Sequence, residues 1–110
     1  MSRETVIAVY RPREEVEEAE EKLEELLSKH PELLRREGLI TDRPALTLRS
    51  MEGECLLQIF EWTSAQSARR AHDNPSVNEL WRQIEEVAET ISLGELPEAD
   101  RLMASFEPLD

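Results

Sequence analysis

Two short runs of this chain are apolar at most positions, on both alternating sets of side chains. They are TVIAVY, from Thr5 to Tyr10, and CLLQIFEW, from Cys55 to Trp62. β-Branched and aromatic residues are frequent in both runs, which is typical of β-strands. A strand with one face in water alternates apolar with polar residues. We therefore predict strands that are covered on both faces.

Two longer segments place apolar residues at helical spacing. Proline suits the first turn of a helix, so we expect the first helix to begin near Pro12. We expect His30 and Pro31 to interrupt it, because a residue before proline is pushed out of helical geometry. The second helix is expected to open with Asn74 as its N-cap and Pro75 as its first residue. The first stripe consists of Val16, Ala19, Leu23, Leu26 and Leu27, and the second of Val77, Leu80, Trp81, Ile84, Val87, Ala88 and Ile91.

The remaining apolar runs complete the element order β-α-β-β-α-β. ALTLRS and CLLQIFEW flank MEGE, in which Gly53 can supply the positive φ of a hairpin turn. RLMASFEPL, near the end of the chain, predicts a last strand. Two helices can cover one face of such a four-stranded antiparallel sheet. The other face would be apolar and open, so we predict a homodimer in which two sheets face each other.

Composition narrows the partners and the compartment. The 110 residues fit one domain, residues 1–110, and carry a net charge of −12, which argues against nucleic acid and acidic membrane surfaces as partners. Glutamate occupies eight of the twelve positions from Glu14 to Glu25, as on a solvated helix face. The single cysteine, Cys55, cannot form an internal disulfide, so a cytoplasmic protein is expected. With two histidines and this one cysteine, no zinc-binding spacing exists and no metal is predicted.

The element order, together with the segment FEWTSAQSARRAHDNPSVNELW from Phe60 to Trp81, resembles a known family. It is similar to the antibiotic-biosynthesis-monooxygenase-like proteins among the dimeric α+β barrels, over most of the chain from Val6 to Phe106. The resemblance implies a ferredoxin-like subunit, a barrel formed by two subunits, and a pocket between sheet and helices. It also implies cofactor-free oxygenation of aromatic polyketides as one activity of the group.

Three residues are candidates for the site. His72 can accept a proton near neutral pH and is the candidate base. Trp62, at the end of a strand, and Tyr10 are candidates for the substrate-binding wall of an apolar pocket. Packing is the alternative interpretation for all three. His30 is expected at the surface, in a polar turn, and Trp81 in the core.

The sequence therefore predicts a small cofactor-independent monooxygenase that acts on an aromatic or polyketide-like substrate. The alternative is a non-enzymatic ligand-binding or structural barrel protein. Trp62 and His72 also resemble the haem-degrading branch of the family, which uses an asparagine on the first strand. That strand has no asparagine here, so haem degradation is the weaker interpretation.

Overall fold

The computed structural model describes residues 3–109, which form an antiparallel sheet packed against helices. This is an α+β fold, as the sequence predicted. The strands are β1 (Glu4–Pro12), β2 (Leu46–Ser50), β3 (Leu56–Trp62), β4 (Ala88–Ile91) and β5 (Phe106–Leu109). The helices are α1 (Ala19–Arg36), α2 (Ser67–His72) and α3 (Pro75–Val87), and two short 3₁₀ turns lie at Leu93–Glu95 and Pro97–Asp100.

The sheet has five strands in the order β4-β1-β3-β2-β5, so the prediction of four strands is wrong. The strand that the sequence analysis missed is β4, which follows α3 without a loop and pairs with β1. Its apolar residues, Ala88 and Ile91, continue the helical spacing of the α3 stripe, so the change from helical to strand periodicity was not visible in the sequence. The predicted last strand is β5, which is confined to Phe106–Leu109 and pairs with β2 at the opposite edge.

Strand β4 also explains why α1 begins later than predicted. Pro12 pairs with Ala88 as the last residue of β1, and the Arg13 amide donates to the Val87 carbonyl at 2.9 Å. The chain therefore stays extended through Pro12 and turns over the following residues. Helix α1 starts only after Glu18, which adopts a left-handed conformation with φ 55°.

Helix α1 runs without interruption through Pro31, so the predicted break there is wrong. Proline lacks an amide N–H, which leaves the carbonyl four residues earlier, that of Leu27, without its helical donor. The side chain of Gln58, from β3, replaces that donor: its Nε2 donates to the Leu27 carbonyl oxygen at 2.8 Å. A long-range contact therefore stabilises the helix where the local sequence opposes it.

The hairpin between β2 and β3 forms as predicted, but the reason for its glycine is different. The positive φ lies at Glu54, not at Gly53. A Cβ atom on Gly53 would lie 2.7 Å from Cδ of Pro97, which is closer than two non-bonded carbon atoms approach in proteins. The glycine is therefore needed for the close approach of the 3₁₀ turn and not for backbone conformation.

The 3₁₀ turn at Pro97–Asp100 belongs to a segment, residues 92–105, which crosses the second face of the sheet. Its Leu96 packs with Val9, Cys55 and Leu57 in a small second core. The carboxylate of Glu98 is buried and accepts hydrogen bonds from the Ser50 hydroxyl at 2.9 Å. The second face is thus partly covered by the chain itself, which the sequence analysis did not anticipate.

The main core lies between the first face of the sheet and the helices. Its members come mainly from β1, β3 and the three helices, with Ala88 of β4 and Leu39 and Ile40 after α1. Leu23, Leu27, Leu34, Leu56 and Val77 are among those fully buried. Helix α3 begins as predicted, with the Asn74 side chain accepting from the amides of Ser76 and Val77 and Pro75 at its first turn. Among residues 3–109, no helix combines the length and the apolar character that crossing a membrane requires.

Candidate ligand pocket between the sheet and the helices

A pocket of about 320 Å³ opens between the first face of the sheet and helices α1 and α3. Four aromatic rings form much of its wall, because alternate residues of β1 and β3 point to this face and meet one side of α3. Phe60 and Trp62 pack edge to face with their ring centroids 5.0 Å apart. The lining residues are Val6, Ala8, Tyr10, His30, Phe60, Trp62, Trp81, Ile84, Glu85 and Thr90.

Tyr10 and Trp62, the two residues predicted to bind substrate, both belong to this lining. Both side chains are buried. Burial raises the pKa of the Tyr10 phenol to about 12, so the hydroxyl keeps its proton at any physiological pH. In an apolar wall it can therefore act as a hydrogen-bond donor or acceptor toward a ligand. That role is still a prediction.

His30 also lines the pocket, and its predicted surface position is wrong: the side chain is 2% exposed. It occupies the middle of α1, one residue before Pro31. Its Nδ1 lies 2.8 Å from Oε1 of Gln58, and its Nε2 accepts a hydrogen bond from Nε1 of Trp81 at 2.9 Å. Both ring nitrogens are therefore occupied by protein partners.

The hydrogen bonds of this group determine where the imidazole proton lies. Nε2 of Gln58 donates to the Leu27 carbonyl and to the Thr47 hydroxyl, so its Oε1 faces His30 as an acceptor. An acceptor at 2.8 Å requires His30 to carry its proton on Nδ1. Nε2 then has a free lone pair, which matches the N–H of Trp81. Because Pro31 lacks an amide N–H, Gln58 directs its Nε2 to the Leu27 carbonyl. This orientation of the Gln58 amide in turn fixes the tautomer of His30.

Burial also keeps this imidazole neutral. It lowers the pKa of His30 below its ordinary value, and the hydrogen bond with Gln58 opposes part of that shift. The ring packs against Phe60 at right angles, with centroids 5.6 Å apart. His30 is therefore a neutral hydrogen-bonding group held rigidly in an apolar wall.

His72, the predicted base, lies outside the lining of the pocket. It is the last residue of α2, and its side chain is exposed. Its ring packs edge to face against Trp81, with centroids 5.0 Å apart. Trp81 thus lies between the two histidines, in contact with the buried one through its N–H and with the exposed one through its ring. The structure brings Tyr10 and Trp62 together in the pocket and leaves His72 outside the lining, in contact with Trp81.

The polar residues at the rim of the pocket limit the charge of a ligand. Glu85 and Thr90 are exposed and belong to its lining, and none of the lining residues is a lysine or arginine. A carboxylate at the rim repels anions, and an anionic ligand would find no cationic partner in the wall. The arrangement suits a neutral molecule with aromatic rings and few polar groups.

Metal binding finds no support in residues 3–109, in which no group of three or more His, Cys, Asp or Glu side chains is placed to hold an ion. The single thiol, Cys55, is buried in the second core, and burial raises its pKa. A neutral thiol buried on the opposite face of the sheet has no access to the pocket.

Sequence reasoning missed His30, Gln58 and Trp81 as a connected group. One signal could have found His30: it continues the stripe of Leu23 and Leu27 at the spacing of one helix face, and Leu34 follows it. A histidine on an apolar stripe is buried and needs hydrogen-bond partners. The partners themselves, 28 and 51 residues away, follow only from the packing of β3 and α3.

Comparisons of the chain with family models, with curated proteins and with solved structures found no match.

Proposed function

We propose that this protein binds a small neutral aromatic or polyketide-like molecule in the pocket and oxygenates it without a cofactor. The observation that carries this proposal is the aromatic wall: Tyr10, Phe60, Trp62 and Trp81 enclose one space on the first face of the sheet. Its volume of about 320 Å³ lies at the lower end of the range for ligand sites, about 300–1,000 Å³. Two or three fused rings fit such a space.

In this reaction the substrate supplies the electrons. A base removes a proton from a phenolic or enolic substrate, and the resulting carbanion reacts with O₂ to give a hydroperoxide at a methylene carbon. Loss of water then leaves a carbonyl group. One oxygen atom of O₂ enters the product, and the other leaves as water with the two hydrogens of that carbon. The protein contributes a dry pocket, orientation and a proton acceptor, and the sequence assigns that acceptor role to His72.

A second candidate function is binding without catalysis, and one observation favours it. Neither histidine is a free base inside the pocket, because His30 has both nitrogens engaged and His72 lies outside the lining. A carrier or sensor of aromatic molecules needs only the apolar wall. Oxygen consumption separates the two functions.

Binding is tested first, with 2-naphthol as the probe and calorimetry as the measurement. Ala8 faces the pocket, whereas its neighbour Ile7 lies on the other face of the sheet and is 46% exposed. Ala8→Leu fills the pocket and should weaken naphthol binding at least tenfold. Ile7→Leu, the matched control on the same strand, should leave it unchanged. Equal affinities in the two variants would refute the pocket as the binding site.

Catalysis is tested with 1,8-dihydroxy-9-anthrone and an oxygen electrode. Wild-type protein should consume O₂ and form the quinone faster than the spontaneous reaction, and Ala8→Leu should not. His72→Ala should abolish the acceleration if His72 is the base. If the protein binds the anthrone tightly but does not accelerate its reaction with O₂, catalysis is refuted and binding without catalysis is supported.

We propose further that the subunit is ferredoxin-like: β4, β1, β3 and β2, with α1 and α3, form that unit, and β5 is added at its edge. We also propose that two copies of the chain associate through the second face of the sheet. What supports association is a groove of about 560 Å³ on that face, lined mainly by apolar side chains such as Leu48, Ile59 and Phe106. Beside it, Leu102 and Met103 are 96% and 97% exposed. An apolar groove next to an apolar protrusion on one chain is self-complementary across a twofold axis.

Sedimentation tests this association. We expect a dimer at micromolar concentration that tightens with salt, because screening reduces repulsion between two chains of charge −12. Replacing Leu102 and Met103 by glutamate should give a monomer. Met51, which is 67% exposed in the hairpin turn, provides the control: Met51→Glu should leave the dimer intact. A wild-type monomer throughout the concentration range would refute the proposal.

A further inference from the structure

One hydrogen-bond acceptor in the wall of the pocket, Nε2 of His30, is fixed in orientation and is occupied by a protein donor. Nε2 of His30 carries the lone pair, because Gln58 holds the proton on Nδ1. The group that occupies this lone pair is the N–H of Trp81 at 2.9 Å. Both His30 and Trp81 belong to the lining, so this hydrogen bond lies at the wall of the ligand space.

Trp81 is held less firmly in this group than His30. Its side chain is only partly buried, so a turn of the indole would bring its N–H toward water. His30 is held by Gln58, which is itself fully buried and held by the carbonyl of Leu27. Displacing Trp81 therefore exposes a fixed acceptor to the pocket and leaves the rest of the group in place.

We propose that Nε2 of His30 is the acceptor that selects ligands with a hydroxyl donor, and that the ligand hydroxyl takes the place of the Trp81 N–H. This assignment rests on the proposed function and moves to His30 the part that the sequence gave to His72. A phenol fits the site because its ring suits the aromatic wall and its O–H matches the lone pair. An aromatic molecule with an ether in place of the hydroxyl has no donor to offer.

The same geometry accommodates a proton transferred from that hydroxyl, although burial, which lowers the pKa of His30, opposes the transfer. When Nε2 accepts the proton, Nδ1 keeps its own, and the hydrogen bond to Oε1 of Gln58 is retained and becomes charge-assisted. No rearrangement of Gln58 is needed, because its amide is oriented by Leu27 and not by the histidine. The phenolic oxygen is left with the negative charge that reaction with O₂ requires.

The test compares 2-naphthol with 2-methoxynaphthalene, which has the same rings and no O–H donor, by calorimetry. Wild-type protein should prefer the naphthol. Trp81→Phe retains an aromatic ring and removes the competing N–H, so the ratio of naphthol affinity to ether affinity should rise about fivefold, the worth of one net hydrogen bond. His30→Leu should abolish the preference and still bind the ether, whereas His72→Ala should retain a preference for the naphthol.

A second measurement covers the case in which His30→Leu does not fold. In ¹⁵N-labelled wild-type protein, naphthol should shift the Nε2 resonance of His30 more than either ring nitrogen of His72, and the ether should leave the Nε2 resonance of His30 nearly unchanged. A response confined to His72 would overturn the assignment.

The failures of the two proposals can be told apart. Equal affinities for naphthol and its ether in wild type and in Trp81→Phe would overturn the role of His30 and leave the pocket as an aromatic site. A preference lost in His72→Ala would also overturn it. Failure of both probes to bind any variant would overturn the proposed function, and the role of His30 with it.

Discussion

Replacing Gln58 by leucine tests the account of how α1 passes through Pro31. The change leaves the Leu27 carbonyl and Nδ1–H of His30 without partners, and both are buried. An unsatisfied buried group costs about 1–3 kcal/mol, and the added apolar contacts of leucine offset part of that. We expect a loss of about 3 kcal/mol in the free energy of unfolding, which corresponds to a fall of roughly 12 °C in Tm for a chain of this size.

A double-mutant cycle identifies the cause of that loss. In Pro31→Ala the new amide at position 31 can donate to the Leu27 carbonyl within the helix. Gln58→Leu then leaves only the histidine unsatisfied, so its cost should fall by about half in this background. Urea denaturation of the four proteins gives the coupling energy. Gln66, which is exposed, provides the control, since Gln66→Leu should change stability by less than about 0.5 kcal/mol.

Additivity of the two changes to within about 0.5 kcal/mol would refute this reasoning. It would mean that the Gln58 side chain stabilises the protein through other contacts and that the Leu27 carbonyl does not depend on it. A coupling of about 1.5 kcal/mol, which is half of the loss expected for Gln58→Leu alone and lies within the range for one unsatisfied group, is the expected result.

Three further predictions concern the same structure. Gly53→Ala should cost about 1–3 kcal/mol in urea denaturation, because its Cβ would meet Pro97 at 2.7 Å; a neutral effect would contradict the close approach. His30, whose pKa is lowered on folding, binds fewer protons in the folded state than in the unfolded chain, so stability should fall as the pH drops below about 6.5. A folded His30→Leu variant should lack this part of the pH dependence. For Glu98, burial alone would raise the pKa, but hydrogen bonds from Ser50 and from the backbone lower it overall. Its stabilising contribution should therefore persist above pH 4.5 and disappear at lower pH, and Glu98→Gln should flatten the urea-denaturation profile between pH 5 and 3; an unchanged profile would contradict this.

The sequence was most informative where local pattern and tertiary structure agree. The runs at Thr5–Tyr10 and Cys55–Trp62 formed β1 and β3, which are neighbours inside the sheet, and Asn74 caps its helix as predicted. The α+β class followed from these elements. Tyr10 and Trp62 could be placed on one face of the sheet by their alternation, and the structure has them in one lining.

The failures have one physical origin, which is that distant contacts override local preferences. Pro31 predicts a helix end, but the helix continues, and the side-chain amide of Gln58, distant in sequence, donates to the Leu27 carbonyl that the proline leaves without a helical donor. Ala88 continues a helical stripe, yet pairing with Pro12 makes it the first residue of a strand. His30 precedes a proline among polar residues, and its burial depends on a glutamine and a tryptophan from other elements.

The continuity of α1 has a consequence for the order in which the chain folds. The two turns after Leu27 follow a carbonyl whose donor is 31 residues away, so this part of the longest helix depends on a long-range contact. Until β3 docks, the chain from residue 19 to residue 36 favours two shorter helical pieces hinged at Pro31. Consolidation of the second piece therefore accompanies docking of the central strand, and its backbone amides should gain protection from hydrogen exchange together with those of β3 and not before them.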